Sequence, residues 1–415
     1  MKIAIQTWGS NGDIRPMLAL GHGLVRRGHG VTLAVSSIDN RSYASDATEL
    51  GMDYRQIPGH VDLDLTDFAQ RTFRMHGLQW LRALLDAAFF PYEDLLFETS
   101  LELAKNHDLL IGHHFLYPLK LAARLQNKPH VSVTLCPAAI PTPHQPPLHC
   151  PDWGQWGNRF FWWLAHRLFD WYLKPLTRLW STHGQPPIRQ VFEDLLRSDQ
   201  LDLLAVDPFF CEAWPIQRPH RLCGFFNLEE DTQQWTLPTS LEEFLNEGET
   251  PIYCTFGSLQ QAVPEWAMEL FIAATRQAEC RAIIQTSSQQ YPTDSRLEHC
   301  YFIGRHPHQP LFERCRAVVH HGGAGTTQAA TRAGCPSVVV PFMDEQLFWG
   351  EQLHRLGLSP PPLLAKRAHA DRLAQRIRAV LSNPRYLRHA QAARQRIVER
   401  NGVQEAVFLI EGLGS

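Results

Sequence analysis

The 415-residue sequence predicts an α/β protein of two doubly wound, parallel-sheet domains. Its length exceeds what one ordinary core fills and suits two domains of similar size. The chain opens as strand, glycine turn, helix and second strand, which is one parallel βαβ unit. The same order restarts after residue 250.

The first strand is expected at residues 2–7, followed by the GSNGD turn and a helix that closes on Arg-Arg-Gly-His. Pro16 suits the first turn of that helix and Gly28 its exit. A second strand is expected at 31–35, then a strand at 108–112, a helix at 119–125 and a strand at 130–135. Residues 137–151 carry six prolines and read as a loop. That loop leads into the most aromatic stretch of the chain, 154–181, whose spacing is helical. Two kinds of reading of it stand: a core helix pair, or a functional face, either the wall of an apolar acceptor pocket or a surface resting on a membrane.

Around 226–240 the chain turns polar and proline-containing. The domains expected are therefore 1–225, a linker at 226–241, a second domain at 242–385, and C-terminal helices at 386–415 packing back on the first domain. Strands of the second half are expected at 251–256, 281–285, 317–320 and 337–340, with a helix from about Pro264.

A net charge of −3 argues against a nucleic-acid partner, whose binding domains are strongly basic. The nine cysteines are scattered, with no CxxC pair, as in a reduced chain without a disulfide framework. No uncharged stretch approaches the roughly 18 to 20 residues of a membrane span. No signal-peptide pattern opens the sequence either, so a cytoplasmic location is expected, with peripheral membrane contact through the aromatic stretch as an addition.

The strongest local signal is RAVVHHGGAGTTQAATRAG at 316–334. A buried strand runs into three glycines within four positions, then into a helix of small residues. Glycines let a ligand approach the backbone, and the amides of a helix start form an anion site. The hydroxyls of Thr326 and Thr327 can cap that helix or donate to a phosphate. No GK[ST] follows, which disfavours ATP hydrolysis. One helix and one strand later, Asp344, Glu345 and Gln346 stand just past a strand end, where ligands collect in open α/β sheets. Asp13 stands in the first glycine turn, either as a carboxylate favourably placed at a helix start or as a general base. The paired histidines lack the spacing of zinc ligands, and no GxSxG elbow is present.

These motifs resemble a known family. HHGGAGTT, followed by RAGCP, VVPF and EQLFW, looks like the donor segment of the GT-B, UDP-glycosyltransferase-like superfamily, family 1. The nearest flavour is that of bacterial and fungal sterol or lipid glucosyltransferases and rhamnolipid-type rhamnosyltransferases. GSNGDIRP, PHQPLFERC and TFGSL match further family segments. The resemblance implies two Rossmann-like domains facing across a cleft. It implies an inverting transfer of a hexose, glucose foremost, from a nucleoside-diphosphate sugar, UDP foremost, to a hydroxyl of a lipophilic sterol, lipid or polyketide. Other outcomes on the same fold are a sugar-nucleotide epimerase and a non-catalytic auxiliary protein.

By position, the resemblance implies that Asp13 is the catalytic base. Ser258, His321, Gly323, Gly325, Thr326 and Thr327 would hold the diphosphate, and Glu345 with Gln346 the sugar hydroxyls. Arg305 and His308 would face the nucleoside; Trp8, Ser10, Asn11, His113, Phe161 and Trp162 would face the acceptor. Trp349 matches a family tryptophan and is expected to pack. No cofactor beyond the nucleotide sugar and no metal is implied, and a monomer or weak dimer is expected. Ala329 stands where plant members carry a ribose-binding glutamate, and Asp344-Glu345-Gln346 replaces the commoner G-D-Q.

Overall fold

A computed structural model describes residues 1–58, 60–72, 75, 77–211, 216–217, 219–228, 236–257, 264–286, 288, 290–304, 306–397 and 400–413. The chain divides into two units. The first holds Met1–Leu63, Gly77–Leu228 and Arg400–Ser415; the second holds Asp64–His76 and Glu229–Glu399.

The first unit is a seven-stranded sheet: β1 (Lys2–Gly9), β2 (Gly30–Ser37), β3 (Asp53–Gln56), β4 (Leu109–His113), β5 (His130–Thr134), β6 (Leu201–Leu204) and β7 (His220–Leu222). The spatial order is β3-β2-β1-β4-β5-β6-β7, and every pairing is parallel. Ile5 pairs with Leu33 on one side and Ile111 on the other. All three are buried completely, as the near-continuous apolar run of a strand covered on both faces requires.

The first helix, Asn11–Arg26, packs Ile14, Met17 and Leu18 into that core. It begins earlier than Pro16 suggests, because Ser10 caps it, so Pro16 lies in the second turn and withholds the amide that would reach Gly12. It ends in a Schellman arrangement: His29 N–H donates to the Leu24 carbonyl at 3.2 Å and Gly28 N–H to Val25 at 2.8 Å, with Gly28 at φ 84°. The last helix, Gly402–Glu411, packs on this first helix, and Glu411 takes a two-pronged hydrogen bond from Arg27 at 3.1 and 3.0 Å.

The second unit is a six-stranded sheet: β8 (Ile252–Thr255), β9 (Ala282–Gln285), β10 (Arg296–Leu297), β11 (Cys300–Ile303), β12 (Val318–His320) and β13 (Ser337–Val339). Its order is β10-β11-β9-β8-β12-β13, parallel except for the β10–β11 edge. One face packs on the helices Pro264–Gln277 and Ala370–Ser382; the other holds Phe244, Tyr253, Tyr301 and Phe312.

Three boundaries differ from expectation. The units meet between Leu228 and Glu229, because Phe226 is buried in the first core rather than leading a linker. The helix Thr239–Asn246 begins inside the expected linker and buries Leu241 and Phe244. The tail that returns to the first unit begins at Arg400, not 386, since the helix Pro384–Ile397 packs on the helix Ala324–Arg332 of the second unit. Among the described residues no helix is long and apolar enough to cross a membrane.

The β6 strand carries a buried polar network. Asp202 accepts from Ser132 Oγ at 2.7 Å, Thr134 Oγ1 at 2.9 Å and His220 Nδ1 at 2.8 Å, while His220 Nε2 lies 3.4 Å from Glu193. Burial opposes a charge on His220, yet the bonds to Asp202 and Glu193 outweigh it and raise its pKa to about 9. A folded pKa above the unfolded one makes this a stabilising term, full below about 6.5 and lost as pH rises through about 9. Its ceiling is roughly 3 kcal/mol. Thermal unfolding of wild type and His220→Gln should therefore differ most near pH 6 and converge above pH 9; a gap independent of pH would contradict the assignment.

Candidate donor and base sites

Each sheet has one switch point, where successive connections leave in opposite directions and the strand ends splay to leave room for a ligand. In the first unit it lies between β1 and β4. Their carboxyl ends deliver Asp13, four residues past Gly9, and His113, the last residue of β4.

Asp13 uses its two oxygens differently. Oδ2 accepts from Ser10 N at 2.8 Å and Ser10 Oγ at 3.1 Å, which makes Ser10 and Asp13 a capping box. Oδ1 faces His113 Nε2 at 3.8 Å. The His113 Nδ1 accepts from the Phe115 amide at 3.4 Å, so the ring's hydrogen sits on Nε2, toward Asp13. Burial lowers the His113 pKa against the pull of Asp13 and keeps the imidazole neutral. The helix-start reading of Asp13 is seen in the contacts of Oδ2, while Oδ1 is turned toward the His113 ring.

The neighbours are committed. Trp8 is buried, its Nε1 donates to the Ala88 carbonyl at 3.2 Å, and its ring meets Phe89 edge-on at 5.2 Å. Asn11 Oδ1 accepts from Arg41 at 3.4 Å and Tyr43 at 3.3 Å. Phe161 packs among Trp153 and Phe160. Trp162 is buried, with its Nε1 donating to the Gln145 carbonyl at 2.8 Å, and so anchors the proline-rich loop. Nothing in the structure brings Phe161 or Trp162 to Asp13.

In the second unit the switch point lies between β8 and β12, whose ends lead into Gly257 and His321. His320 is buried; its Nδ1 accepts from the Gly322 amide at 3.1 Å. Burial, with smaller contributions from His321 and His308, brings its pKa down to about 3. Gly322 sits at φ 90°, and a Cβ there would come within 2.6 Å of the Gln346 carbonyl oxygen. Only glycine meets both conditions.

The His321 ring lies between two further glycines. A Cβ at Gly323 would fall 2.4 Å from its Nε2, and one at Gly257 3.0 Å from its Cε1. Its Nδ1 is enclosed without a hydrogen-bond partner among the described residues, and burial takes its pKa down to about 4. Near neutral pH it is an uncharged donor or acceptor.

Gly323 is the N-cap of the helix Ala324–Arg332. Thr327 N–H donates to the Gly323 carbonyl at 2.9 Å, so the amides of Ala324, Gly325 and Thr326 have no partner within the helix. They carry the positive end of the helix dipole. The threonine hydroxyls do not cap the helix, contrary to that reading of them; Thr327 Oγ1 is buried without a partner among the described residues. A Cβ at Gly325 would meet only open space. A glycine turn whose first helical amides have no partner within the helix, beside an uncommitted buried hydroxyl, can take an anion.

Beside it, the helix Asp344–Arg355 begins. Gln346 is buried and its Oε1 accepts from the Phe342 amide at 2.9 Å, leaving the amide nitrogen as the group for a ligand; Glu345 is exposed. Trp349 is fully buried, edge-on to Phe348 at 5.3 Å. His308 stacks on Phe312 at 5.0 Å and stands near enough to His320 to depress its basicity. Ser258 and Arg305 lie outside the described residues. Sequence reasoning missed Gly257 as a wall and His113 as the partner of Asp13; the signal for both was the chain reversal at a strand end.

A family profile for the C-terminal domain of erythromycin biosynthesis protein CIII-like proteins matches residues 271–413. The chain is 27% identical to O-mycaminosyltylonolide 6-deoxyallosyltransferase of Streptomyces fradiae, over 99% of this chain and 97% of that protein. It is 26% identical to a sterol 3-beta-glucosyltransferase of Saccharomyces cerevisiae (strain YJM789), over 99% of this chain and 35% of that protein. The chain thus spans nearly all of the first relative and about a third of the second. The structure of the kitacinnamycin glycotransferase superposes with a TM-score of 0.71 at 19% identity, covering 99% of this chain and 98% of that one. That of the calicheamicin glycosyltransferase CalG4 gives 0.67 at 17%, covering 100% and 98%.

The chain has the GT-B fold, and its sequence is similar to glycosyltransferases along nearly its whole length.

In this glycosyltransferase the turn after β12 separates two roles that substitution can test. Gly325→Ala adds a methyl into open space in the first helical turn, where alanine gains roughly 0.5–1 kcal/mol over glycine. Its melting temperature should hold or rise, while calorimetric affinity for a nucleoside diphosphate falls roughly tenfold or more, about 1.4 kcal/mol, if phosphate rests on that backbone. Gly323→Ala should lose the same affinity by displacing the His321 ring. Unchanged affinity in both variants would remove the turn from donor binding.

Proposed function

We propose that this glycosyltransferase moves a hexose, glucose foremost, from a uridine diphosphate sugar to a hydroxyl of a lipophilic small molecule, with inversion at the anomeric carbon. The observation that carries the reading is the paired use of switch points: a carboxylate beside a neutral imidazole at one, open amides beside a neutral imidazole at the other. Two relatives support the acceptor class, since one is a tylonolide deoxyallosyltransferase and the other a sterol glucosyltransferase.

In the proposed step, Asp13 Oδ1 takes the proton of the acceptor hydroxyl. The oxygen attacks the anomeric carbon opposite the diphosphate, and the carbon–phosphate oxygen bond breaks with its electron pair on the leaving group. One displacement gives inversion. His113 Nε2 lies 3.8 Å from Oδ1, and the imidazole, its pKa lowered by burial, does not compete for the proton. The leaving charge meets the amides of Ala324, Gly325 and Thr326, the Thr327 hydroxyl and His321, donors fixed before the reaction. With these in place the step needs no metal, and Gln346 with Glu345 would grip the sugar hydroxyls.

A specific observation favours a second donor reading. Two similar structures, the spinosyn rhamnosyltransferase SpnG and the glycosyltransferase VinC, were solved with thymidine diphosphate. A panel of uridine and thymidine diphosphate hexoses against sterol and macrolide alcohols, read by mass spectrometry, separates the two. Asp13→Asn should lower kcat roughly 10²–10⁴-fold. His321→Ala should cost roughly 10²–10³-fold, and EDTA should leave the rate unchanged. Near-normal transfer by either variant would remove that residue from the mechanism. Donor conversion without acceptor would instead identify an epimerase.

A further inference from the structure

The helix Gly154–Tyr172 has two unlike faces. Asn158, Trp162 and His166 are buried against the first unit. The opposite face presents Trp156, Phe160, Trp163, Leu164, Leu168 and Trp171 to solvent, with Trp156 83% and Trp171 74% exposed. Trp153, just before the helix, is 69% exposed. Soluble chains rarely leave so contiguous an apolar stripe uncovered.

The charges carried on the exposed face itself are positive, while the acids beside it, Asp86, Asp152 and Asp170, are each bonded within the protein. Arg159 and Arg167 lie on the exposed face itself, and Arg159 sits over the Trp156 ring at 5.5 Å. At the helix's far end a cavity of about 640 Å³ is lined by Arg82, Trp171, Tyr172, Lys174 and Arg178. Arg82 is paired with Asp86 at 2.8 Å, while Lys174 and Arg178 are exposed. The nearby acids are engaged by the protein: Asp170 accepts from the Val191 amide at 2.8 Å, and Asp152 from the Gly154 amide and Asn158 Nδ2, both at 3.0 Å.

We propose that this face docks on the surface of an anionic phospholipid bilayer, with the helix lying in the interface plane. Tryptophan rings suit the headgroup level, where one edge is apolar and the other wet. Arginine and lysine stems run along the apolar surface and place their charges among lipid phosphates. The cavity at the helix end offers Lys174 and Arg178 to one such headgroup, with Trp171 at its edge. A second copy of this chain fits less well. A two-fold contact through the stripe would enclose Arg159 and Arg167 of both copies, four positive charges, in one apolar interface.

The inference concerns binding and stands whether or not the transfer reaction is as proposed. It is tested by co-sedimenting the full chain, without donor or acceptor, with vesicles of phosphatidylcholine alone or mixed with phosphatidylglycerol. The wild type should bind the mixed vesicles, release with salt, and bind phosphatidylcholine alone weakly. Each basic residue near an anionic surface is worth roughly fivefold in partition, so K174E/R178E should weaken binding more than twentyfold by that scale. W156S/W163S/W171S should abolish binding while circular dichroism stays native. Quenching of wild-type tryptophan emission by brominated lipid gives a second reading that needs no variant, and its absence would overturn the proposal. Equal binding to both vesicle types, or no binding to either, would also overturn it. So would a sedimentation-velocity dimer that the triple variant dissolves.

Discussion

Between the ends of β8 and β12 the ring of His321 fills space that a side chain at Gly257 or Gly323 would need. That crowding sets the path of the backbone from the strand into the helix Ala324–Arg332. The chain leaves β12 through Gly322 at a positive φ that presses it against the Gln346 carbonyl. It then enters the helix with three amides that have no partner within the helix, and with open space beside Gly325. The proposed seat for a diphosphate is therefore a consequence of where glycines fall around one imidazole. Because burial keeps that imidazole uncharged near neutral pH, the seat depends on dipoles and hydrogen atoms, not on an ion pair.

The first unit solves a related problem with a different group. At the β1–β4 switch point the helix start is already occupied by the protein's own anion, since Asp13 caps it through Ser10. The same fold position that is proposed to draw a phosphate in one unit draws a carboxylate in the other. Fixing one oxygen in the capping box leaves the second with a defined direction, toward His113. A residue that sequence reading had to divide between a structural and a chemical role is seen in the structural one, with its second oxygen left for the proposed chemistry. The geometry requires only that its two oxygens be inequivalent.

Much of this was legible in the sequence, and the misses share a cause. The glycine turn at 320–327 was visible because glycines, histidines and threonines cluster within eight residues, and the residues before it, 317–319, are apolar. β3, β6, β7, β10 and β11 were not anticipated. β3 is the polar DYRQ, β7 is three residues at an edge, and β6 carries Asp202, whose burial is compensated by partners on β5 and β7 that no local window contains. The aromatic helix misled in a different way. Its periodicity was plain, but period alone does not say which face is inward: Trp162 is pinned to the Gln145 carbonyl, while Trp156 and Trp171 face solvent. The pairing of Asp13 with His113, a hundred residues apart in sequence, follows from strand order and could be reached only through the sheet.

The central claim is that the backbone after β12 seats a diphosphate through uncharged donors. The most direct measurement is a crystal structure of the chain with a nucleoside diphosphate bound. The account predicts phosphate oxygens within hydrogen-bond distance of the Gly325 and Thr326 amides and the Thr327 hydroxyl, with the His321 ring still between Gly257 and Gly323. Phosphate density away from that turn, or held only by lysine or arginine side chains, would contradict it.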